Sequence, residues 1–231
     1  MTNQSLAGVE SNRALTNPAA GAGRIRAMNP EDIDHVVRLH LDCFEGHLLV
    51  SLGERILRLY YGAVLAEPAS VAVVLEDERG RLTGFAVGSL TIRALYLRLL
   101  KHDLASIIVA TTPALFRHPF LCPRVLGALA RRLVSPGEKG AATLSSFAVE
   151  PRARGVGAGT SLFRAFAAEV GRRGGAVLVW GTKASDHTAR RFYARLASAT
   201  GAISVRAAGG HACYRMDVGG LTLAGRGAHS A

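Results

Sequence analysis

Apolar and polar residues recur along the chain with two different periods, and these periods predict its secondary structure. Alternation with period two predicts strands at 24–28, 71–75 and 82–90, the first of them as an edge strand. Apolar residues at every third or fourth position predict helices at 29–44 and at about 52–65. We therefore expect the chain to begin with a strand, two helices and a hairpin.

The middle of the chain, 92–134, is rich in Leu, Ala and Arg. Pro113, Pro119 and Pro123 interrupt it, and we expect them to separate two or three helices. Its most apolar stretch, 104–116, is shorter than the ~20 residues that a membrane-spanning helix needs, and it contains Pro113. The sequence therefore predicts no transmembrane segment here.

Strand and helix patterns alternate from 142 onward. The predicted order is a strand at 142–149, a helix at 157–172, a strand at 176–181, a helix at 185–196 and strands up to 218. This alternation predicts a largely parallel sheet region with crossover helices. We expect one α/β domain at 24–218, preceded by a flexible leader at 1–23 and followed by a tail at 219–231.

The positive net charge of the chain favours anionic partners. Lys plus Arg number 28 against 17 Asp plus Glu, which gives a net charge of +11 and leaves anionic ligands, nucleic acid and acidic membrane surfaces open. Seven cations against Asp103 give +6 within 92–134. Aromatic residues make up 6% of the chain and do not interleave with these arginines, so nucleic-acid binding is disfavoured.

Cysteine usage indicates a reducing compartment. The chain has three cysteines, Cys43, Cys122 and Cys213, which are too widely spaced for a disulfide framework or a zinc site. The first residues lack the basic and apolar regions of a secretory signal. We expect a cytoplasmic protein without a metal.

The segment 145–166 carries the clearest chemical signal. A predicted strand stops at Pro151, and a turn with Gly155, Gly157 and Gly159 leads directly into a helix. Backbone N–H groups at such a helix start bind a pyrophosphate, which the helix dipole also favours, and Arg154 adds charged donors. No Lys followed by Ser or Thr comes after the glycines, and no acidic residue stands about twenty positions on, which disfavours the Walker and Rossmann sites.

With Arg154, Gly157 and Gly159 in register, this segment resembles the acyl-CoA signature of the GCN5-related N-acetyltransferase (GNAT) superfamily. The resemblance covers 24–90 loosely and 142–218 well. It implies a mixed, partly splayed β-sheet flanked by helices, with 92–134 as a helical basic insertion, and acetyl-CoA as the acyl donor. The donor contacts that it implies are Phe147, Ala148, Val149, Arg154, Gly155, Val156, Gly157, Ala158, Gly159, Thr160 and Asp186.

The stretch SDHTARRFYARL resembles a later helix of the same superfamily and implies Tyr193 as the catalytic acid. A phenol with a pKa of about 10 can protonate the departing CoA thiolate without first being ionised. The alternative is a Tyr193 that packs beside Phe192 in the core. Asp186 replaces the family's usual Asn; it can cap the helix, but it would repel a nearby phosphate. Because no cysteine is near Tyr193 or the glycine turn in sequence, we expect direct attack by the amine. The alternative is a relay through Cys213, on a late strand, if that strand brings it near Tyr193 in space.

The acceptor side carries no comparable motif. Several relatives place a general base on the strand before the signature, where this chain has Thr143, Ser145 and Ser146, so a base acting through water or supplied by the substrate is implied. An amine of low pKa would tolerate a missing base. The expected acceptor contacts, in the loop where the family forms its acceptor site, are Phe44, Glu45 and His47. His40, which we expect in the core, and Glu150 are further candidates for the base.

The overall layout resembles a bacterial branch associated with surface-polysaccharide biosynthesis, which favours an amino sugar or a nucleotide-linked amino sugar as acceptor. The layout includes the Leu-Gly-x-x-x-Leu-like stretch at 52–57 and the basic insertion. The insertion is open to three interpretations: a solvated cationic face, a contact with an anionic acceptor, or a peripheral contact with a membrane or partner. Two other functions stay open, a non-catalytic acyl-CoA-binding module and a basic membrane-surface or polyanion-binding protein. We expect a monomer or a homodimer.

Overall fold

A computed structural model describes residues 23–134 and 140–218. The predicted leader, apart from Gly23, and the predicted tail lie outside the described residues, as does most of the turn after 134. Seven strands form one sheet in the order β1-β2-β3-β4-β5-β7-β6. Their bounds are β1 Arg24–Ala27, β2 Ser70–Glu76, β3 Leu82–Ser89, β4 Ala141–Val149, β5 Val177–Lys183, β6 Ile203–Ala208 and β7 His211–Asp217.

Helices cover the sheet and connect its strands. Their bounds are α1 Ile33–Cys43, α2 Leu48–Ser51, α3 Glu54–Ala66, α4 Ile92–Arg117, α5 Leu121–Val134, α6 Ala158–Arg172 and α7 His187–Thr200. The predicted strands and long helices are confirmed to within a few residues. The short α2 was not predicted, and the helix expected from 52 begins at Glu54, after Gly53 with its left-handed φ of 93°.

The expected mixed, partly splayed sheet is confirmed, but the expectation of a largely parallel region is wrong. Among the described strands, β4 and β5 form the one parallel pair, and they pair only from Ala141 to Thr143 against Val177 to Val179. Helix α7 carries the chain past β5 to the sheet edge, and β7 then returns between β5 and β6, antiparallel to both. Beyond Thr143 the strands β4 and β5 separate.

Two apolar cores lie on opposite faces of the sheet. Helices α6 and α7 pack on one face, where Leu162, Phe163 and Phe166 are fully buried. Helices α1, α3 and the start of α4 pack on the other face, around Tyr61 and Phe85. Successive residues of a strand point to opposite faces, so β2 supplies side chains to both cores. Helices thus cover both faces of the sheet around the point where β4 and β5 diverge.

Helix α4 continues through Pro113, so the prediction that this proline separates two helices is wrong. Proline cannot donate the backbone hydrogen bond of its turn. The Thr111 hydroxyl donates to the Ile107 carbonyl oxygen at 2.8 Å, and the Thr112 hydroxyl donates to that of Ile108 at 2.6 Å. Within the described ranges, α4 is the one helix long and apolar enough to cross a membrane by length and composition, and 11% of its most apolar window is buried.

Candidate active site

A cavity of about 2040 Å³ lies where β4 and β5 diverge. Strand β4 pairs with β3 along its length, from Ser89 opposite Thr143 to Gly84 opposite Val149. Its other edge loses its partner after Thr143, because the pairing with β5 ends there. Residues 143–149 of β4 and 179–183 of β5 therefore line the cavity from its two sides. Phe147, Ala148 and Val149, the strand residues implied as donor contacts, are among them.

The glycine turn and the start of α6 form one end of this cavity. Gly157 is the residue before α6 and has a φ of 84°, and Gly155 has a φ of 90°. A Cβ added at Gly157 would meet no described atom within 4 Å. The first backbone bond of the helix runs from the Ser161 N–H to the Gly157 carbonyl oxygen at 3.0 Å. The N–H groups of the first helical residues thus have no helical acceptor and are free to bind an anion.

The structure places most of the predicted turn residues on the cavity wall. Arg154, Gly155, Gly157, Gly159 and Thr160 line it, whereas Val156 and Ala158 are not among the lining residues. The Arg154 Nε donates to the Val149 carbonyl oxygen at 2.8 Å, which fixes the guanidinium at the end of β4.

Helix α7 packs closely against the start of α6. A Cβ at Gly159 would lie 3.2 Å from the Phe192 ring, so glycine permits this approach. The Asp186 carboxylate accepts a hydrogen bond from the Ala189 N–H at 2.9 Å, which confirms its role as a helix cap. Asp186 also lines the cavity.

Tyr193 lines the cavity from α7 and is 6% exposed. Its ring centroid lies 4.9 Å from that of Tyr214, 5.1 Å from that of Phe192 and 5.3 Å from that of Trp180. Burial raises the pKa of Tyr193 above its ordinary value, and the nearby Tyr214 and Asp186 raise it further. The phenol therefore keeps its proton at neutral and moderately alkaline pH.

Sequence reasoning missed two aromatic residues of this cluster. Trp180 of β5 and Tyr214 of β7 face each other across paired strands, and their rings stack with centroids 5.4 Å apart. Trp180 is the chain's single tryptophan, it lines the cavity, and its buried Nε1 has no hydrogen-bond partner. Only the position of β7 beside β5 brings the two rings together, and no local pattern signals that pairing.

The loop between α1 and α2, where the acceptor contacts were expected, reaches the cavity. Phe44 and His47 line the cavity, whereas the exposed Glu45 is not among the described lining residues. Burial lowers the pKa of His47, and the charge of Lys183 lowers it further. The Lys183 Nζ donates to the Gly46 carbonyl oxygen at 3.3 Å and so links this loop to the end of β5.

His40 lies in the core, as expected, with 3% of its surface exposed. Its Nδ1 lies 2.6 Å from the Tyr61 hydroxyl oxygen, and its ring packs on Phe44 with centroids 4.5 Å apart. Burial lowers the pKa of His40 to about 4, so the imidazole is neutral at physiological pH. Glu150, the other candidate for the base, is not among the described residues that line the cavity.

The cavity is strongly cationic. Asp186 is the one carboxylate among the described lining residues, and its oxygen already caps α7. The lining cations are Arg131, Arg132, Arg154, Lys183, Arg195, Arg206 and Arg215. Such a wall favours anionic ligands.

Two cysteines, Cys43 and Cys213, also line the cavity. The described residues contain no group of three or more His, Cys, Asp or Glu side chains that could hold a metal ion.

A sheet that opens beside a glycine turn and a buried tyrosine defines an acyltransferase-type site. The chain belongs to the acetyltransferase (GNAT) family, whose model matches residues 33–197. It is thus an acyltransferase. This argues against the two non-enzymatic alternatives, a non-catalytic acyl-CoA-binding module and a protein that only binds membrane surfaces or polyanions. No curated protein is similar enough in sequence to match the chain.

Solved structures share the fold at low sequence identity. SsHAT superposes with a TM-score of 0.59 and 16% identity, covering 84% of this chain and 97% of that one. The ribosomal-protein-alanine N-acetyltransferase from Brucella melitensis gives 0.52 and 16%, covering 84% and 98%. A phosphinothricin acetyltransferase from Sinorhizobium meliloti, solved in complex with AcCoA, gives 0.53 and 13%, covering 84% and 86%.

Proposed function

We propose that the protein is an acetyl-CoA-dependent N-acetyltransferase that acetylates a primary amine of a small molecule by direct attack. One observation carries the proposal: the free N–H groups at the start of α6 and the Tyr193 ring line the same cavity. An acyltransferase needs this combination, because it must hold the donor's phosphates at one end and protonate the donor's sulfur at the other.

The donor half follows from the glycine turn and the open edge of β4. The pyrophosphate of acetyl-CoA binds to the N–H groups beside Gly157, where the absence of a Cβ leaves room for it. The pantetheine arm lies along Phe147 to Val149, whose edge toward β5 has no strand partner. Asp186 does not bind a phosphate directly, because its carboxylate already accepts the hydrogen bond that caps α7 and its negative charge would repel the phosphate.

The chemical step needs a proton at the sulfur. The amine nitrogen attacks the thioester carbonyl and forms a tetrahedral intermediate, which collapses by breaking its C–S bond. The Tyr193 hydroxyl gives its proton to the departing sulfur, and its raised pKa ensures that this proton is present beforehand. The proton lost by the amine leaves through water near His47, the acceptor-side imidazole whose lowered pKa keeps it neutral.

The acceptor is an anionic amine, with a nucleotide-linked amino sugar favoured over a free amino sugar. Arg131 and Arg132 line the cavity from α5, far in sequence from the glycine turn that serves the donor. Bidentate donors of this kind bind phosphates, so they support a phosphate-bearing acceptor. The resemblance to a surface-polysaccharide branch supports the same acceptor class.

Donor binding is tested by the melting temperature and by the fluorescence of Trp180, with and without acetyl-CoA. Ligand at 100 times its Kd adds about 2.7 kcal/mol, which raises Tm by several degrees. Gly157→Leu should abolish both responses. Gly174→Leu is the matched control, because Gly174 also has a positive φ, of 86°, and open space around it, but is not among the lining residues. Equal loss in both variants, or no response in the parent, would refute the donor site.

Direct attack of the amine on the thioester is tested separately from an acyl relay through a cysteine. Cys43 and Cys213 are not near Tyr193 in sequence, yet both line the cavity. Burial raises the pKa of the Cys43 thiol, which disfavours the thiolate that an acyl relay requires. The Cys43→Ser/Cys213→Ser double variant should keep kcat within about threefold of the parent. An acetylated cysteine trapped by mass spectrometry, with activity lost in the variant, would establish the relay instead.

A further inference from the structure

The α4–α5 hairpin, residues 92–134, projects apolar side chains that the rest of the protein leaves uncovered. Eight of the ten large apolar residues exposed among the described residues belong to it. They are Leu97, Leu104, Ile108, Val109, Phe116, Phe120, Leu126 and Val134. Helix α4 has 26 residues but buries three of them, Leu95, Leu99 and Thr111. A surface of this kind marks an interaction site.

The exposed apolar residues of α4 form a broad stripe rather than a single row. Leu97, Leu104 and Ile108, spaced by seven and four positions, share one face with Lys101, and Val109 and Phe116 lie about 100° around the helix from them. The stripe ends at the tip of the hairpin, where Phe116 is 86% exposed and Phe120 is 60% exposed. The tip therefore presents two aromatic rings on either side of Arg117.

The charged residues of the hairpin are nearly all positive. Seven Lys or Arg residues stand against Asp103 alone, and residues 104–134 contain no Asp or Glu. Arg117 and Arg124, at the tip and in the first turns of α5, are exposed. Cations that flank exposed apolar and aromatic residues are typical of segments that lie in the headgroup region of an anionic bilayer.

We propose that the α4–α5 hairpin docks the enzyme on an anionic lipid bilayer, with the tip inserted among the headgroups. Helix α4 does not span the bilayer, because Leu95 and Leu99 belong to the protein core. The 18 residues of α4 beyond Leu99 measure about 27 Å, less than the ~30 Å hydrocarbon thickness, and they include the charged Lys101 and Asp103.

Charge decides between a bilayer and the other occupants of this surface. A second copy of the chain in a twofold dimer would place one hairpin of charge +6 against another, which repels. A nucleic acid would neutralise the arginines but leave the stripe of Leu, Ile and Val exposed. An anionic bilayer matches both the charge and the apolar surface of the hairpin, since its headgroups pair with the arginines and its acyl chains cover the stripe.

Docking also bears on the cavity. Leu99, Ile107 and Leu129 of the hairpin line it, together with Arg131 and Arg132. A docked hairpin would therefore hold this part of the cavity wall next to the headgroups. Acetyl-CoA binding does not depend on this contact.

The test is flotation of the full chain with phosphatidylcholine vesicles that do or do not contain phosphatidylglycerol. We expect binding only to the anionic vesicles, weakened by high salt. Arg117→Gln/Arg124→Gln should weaken binding by about 25-fold, given about fivefold for each cation near the surface. Arg164→Gln/Arg191→Gln removes the same charge from exposed arginines of α6 and α7 and should change binding less than twofold.

Apolar insertion is tested in the same way. Phe116→Ser/Phe120→Ser should reduce vesicle binding by tenfold or more, whereas Val205→Ser, at a residue 64% exposed on β6, should not. Every variant should keep the acetyl-CoA shift in Tm, which shows that it is folded and separates this test from that of the donor site.

Three results would overturn the proposal. The first is no binding to anionic vesicles, and the second is equal loss in the two arginine variants, which would indicate net charge alone. The third is a dimer in solution that the Phe116→Ser/Phe120→Ser variant abolishes, because a second copy would then cover the stripe.

Discussion

At the scale of single residues, Tyr193 combines burial with access to the cavity. Tyr193→Phe keeps the ring and its aromatic neighbours but removes the proton, so kcat should fall by about 100-fold with little change in the KM for acetyl-CoA. Release of free thiol gives the rate, and Tm, within a few degrees of the parent, shows that packing is intact. A kcat within threefold of the parent would mean that Tyr193 is only a core residue.

His40 makes folding stability depend on pH. Its folded pKa of about 4 lies below the ordinary 6.5, so the unfolded chain binds more protons between these values and stability falls as pH drops through this window. From pH 7 to pH 5 the parent should lose about 2 kcal/mol through His40.

The His40 contribution is measured by urea unfolding at both pH values. In His40→Gln this loss should vanish, while the losses from carboxylates shared by both proteins stay. Parallel pH dependence in the two proteins would show that His40 is not buried in the neutral form.

The sequence anticipated the cavity-lining residues of the glycine turn through a contiguous motif, and it offered no such motif for the rest of the cavity wall. Arg154, Gly157 and Gly159 form a contiguous motif whose local geometry follows from the chain itself. Trp180 and Tyr214 meet only through strand order, so no local pattern reveals them. Glu45 was expected at the site by its position in the loop, but the turn leaves it exposed.

At the scale of elements, the close packing of β3 on β4 leaves no room for a side chain at Gly88. A Cβ on Gly88 would overlap the Thr143 carbonyl oxygen and press on the Phe166 ring, next to the register shift between Val87 and Gly88. Gly88→Ala should therefore lower the free energy of unfolding by about 3 kcal/mol.

A second glycine provides the matched control. A Cβ on Gly62 in α3 would meet no described atom within 4 Å, so Gly62→Ala should raise stability by about 0.5–1 kcal/mol. Urea unfolding measures both changes. A neutral Gly88→Ala would show that β3 and β4 separate easily.

Periodicity predicted the long elements because each buries one face, and it failed where tertiary structure overrides local preference. Pro113 was expected to end a helix, but α4 continues through it to Arg117 and loses one backbone hydrogen bond, the one that the Val109 carbonyl oxygen would accept. Alternation after 142 predicted parallel strands, since a pattern read along one chain does not reveal that β7 inserts beside β5.

At the scale of the whole molecule, the sheet consists of two halves joined by a short parallel seam. Strands β1 to β4 form one half and β5, β7 and β6 the other, with three residue pairs between them. Because the proposed donor fills the gap beyond this seam, acetyl-CoA should slow amide hydrogen exchange at 144–149.

The matched reference for exchange is β2, which is paired on both sides and should not change. Gly157→Leu should remove the protection of 144–149, and Gly174→Leu should keep it. Protection spread evenly over the sheet would indicate general tightening rather than occupation of the gap.

The route of the chain between β3 and β4 has a consequence for engineering and for divergence. Ser89 and Thr143 are direct partners, so the chain leaves the sheet and returns to it at nearly the same place. The length of the segment between Ser89 and Thr143 therefore does not affect the register of β3 and β4. A longer segment would cost little extra, because the entropy of closing a loop grows slowly with its length. A replacement of the hairpin beyond Leu99 that keeps Leu95 and Leu99 in the core would therefore leave the glycine turn and Tyr193 in place. It would remove Arg131 and Arg132 from the cavity wall together with the exposed apolar surface, so the acceptor preference and the docking surface would change together.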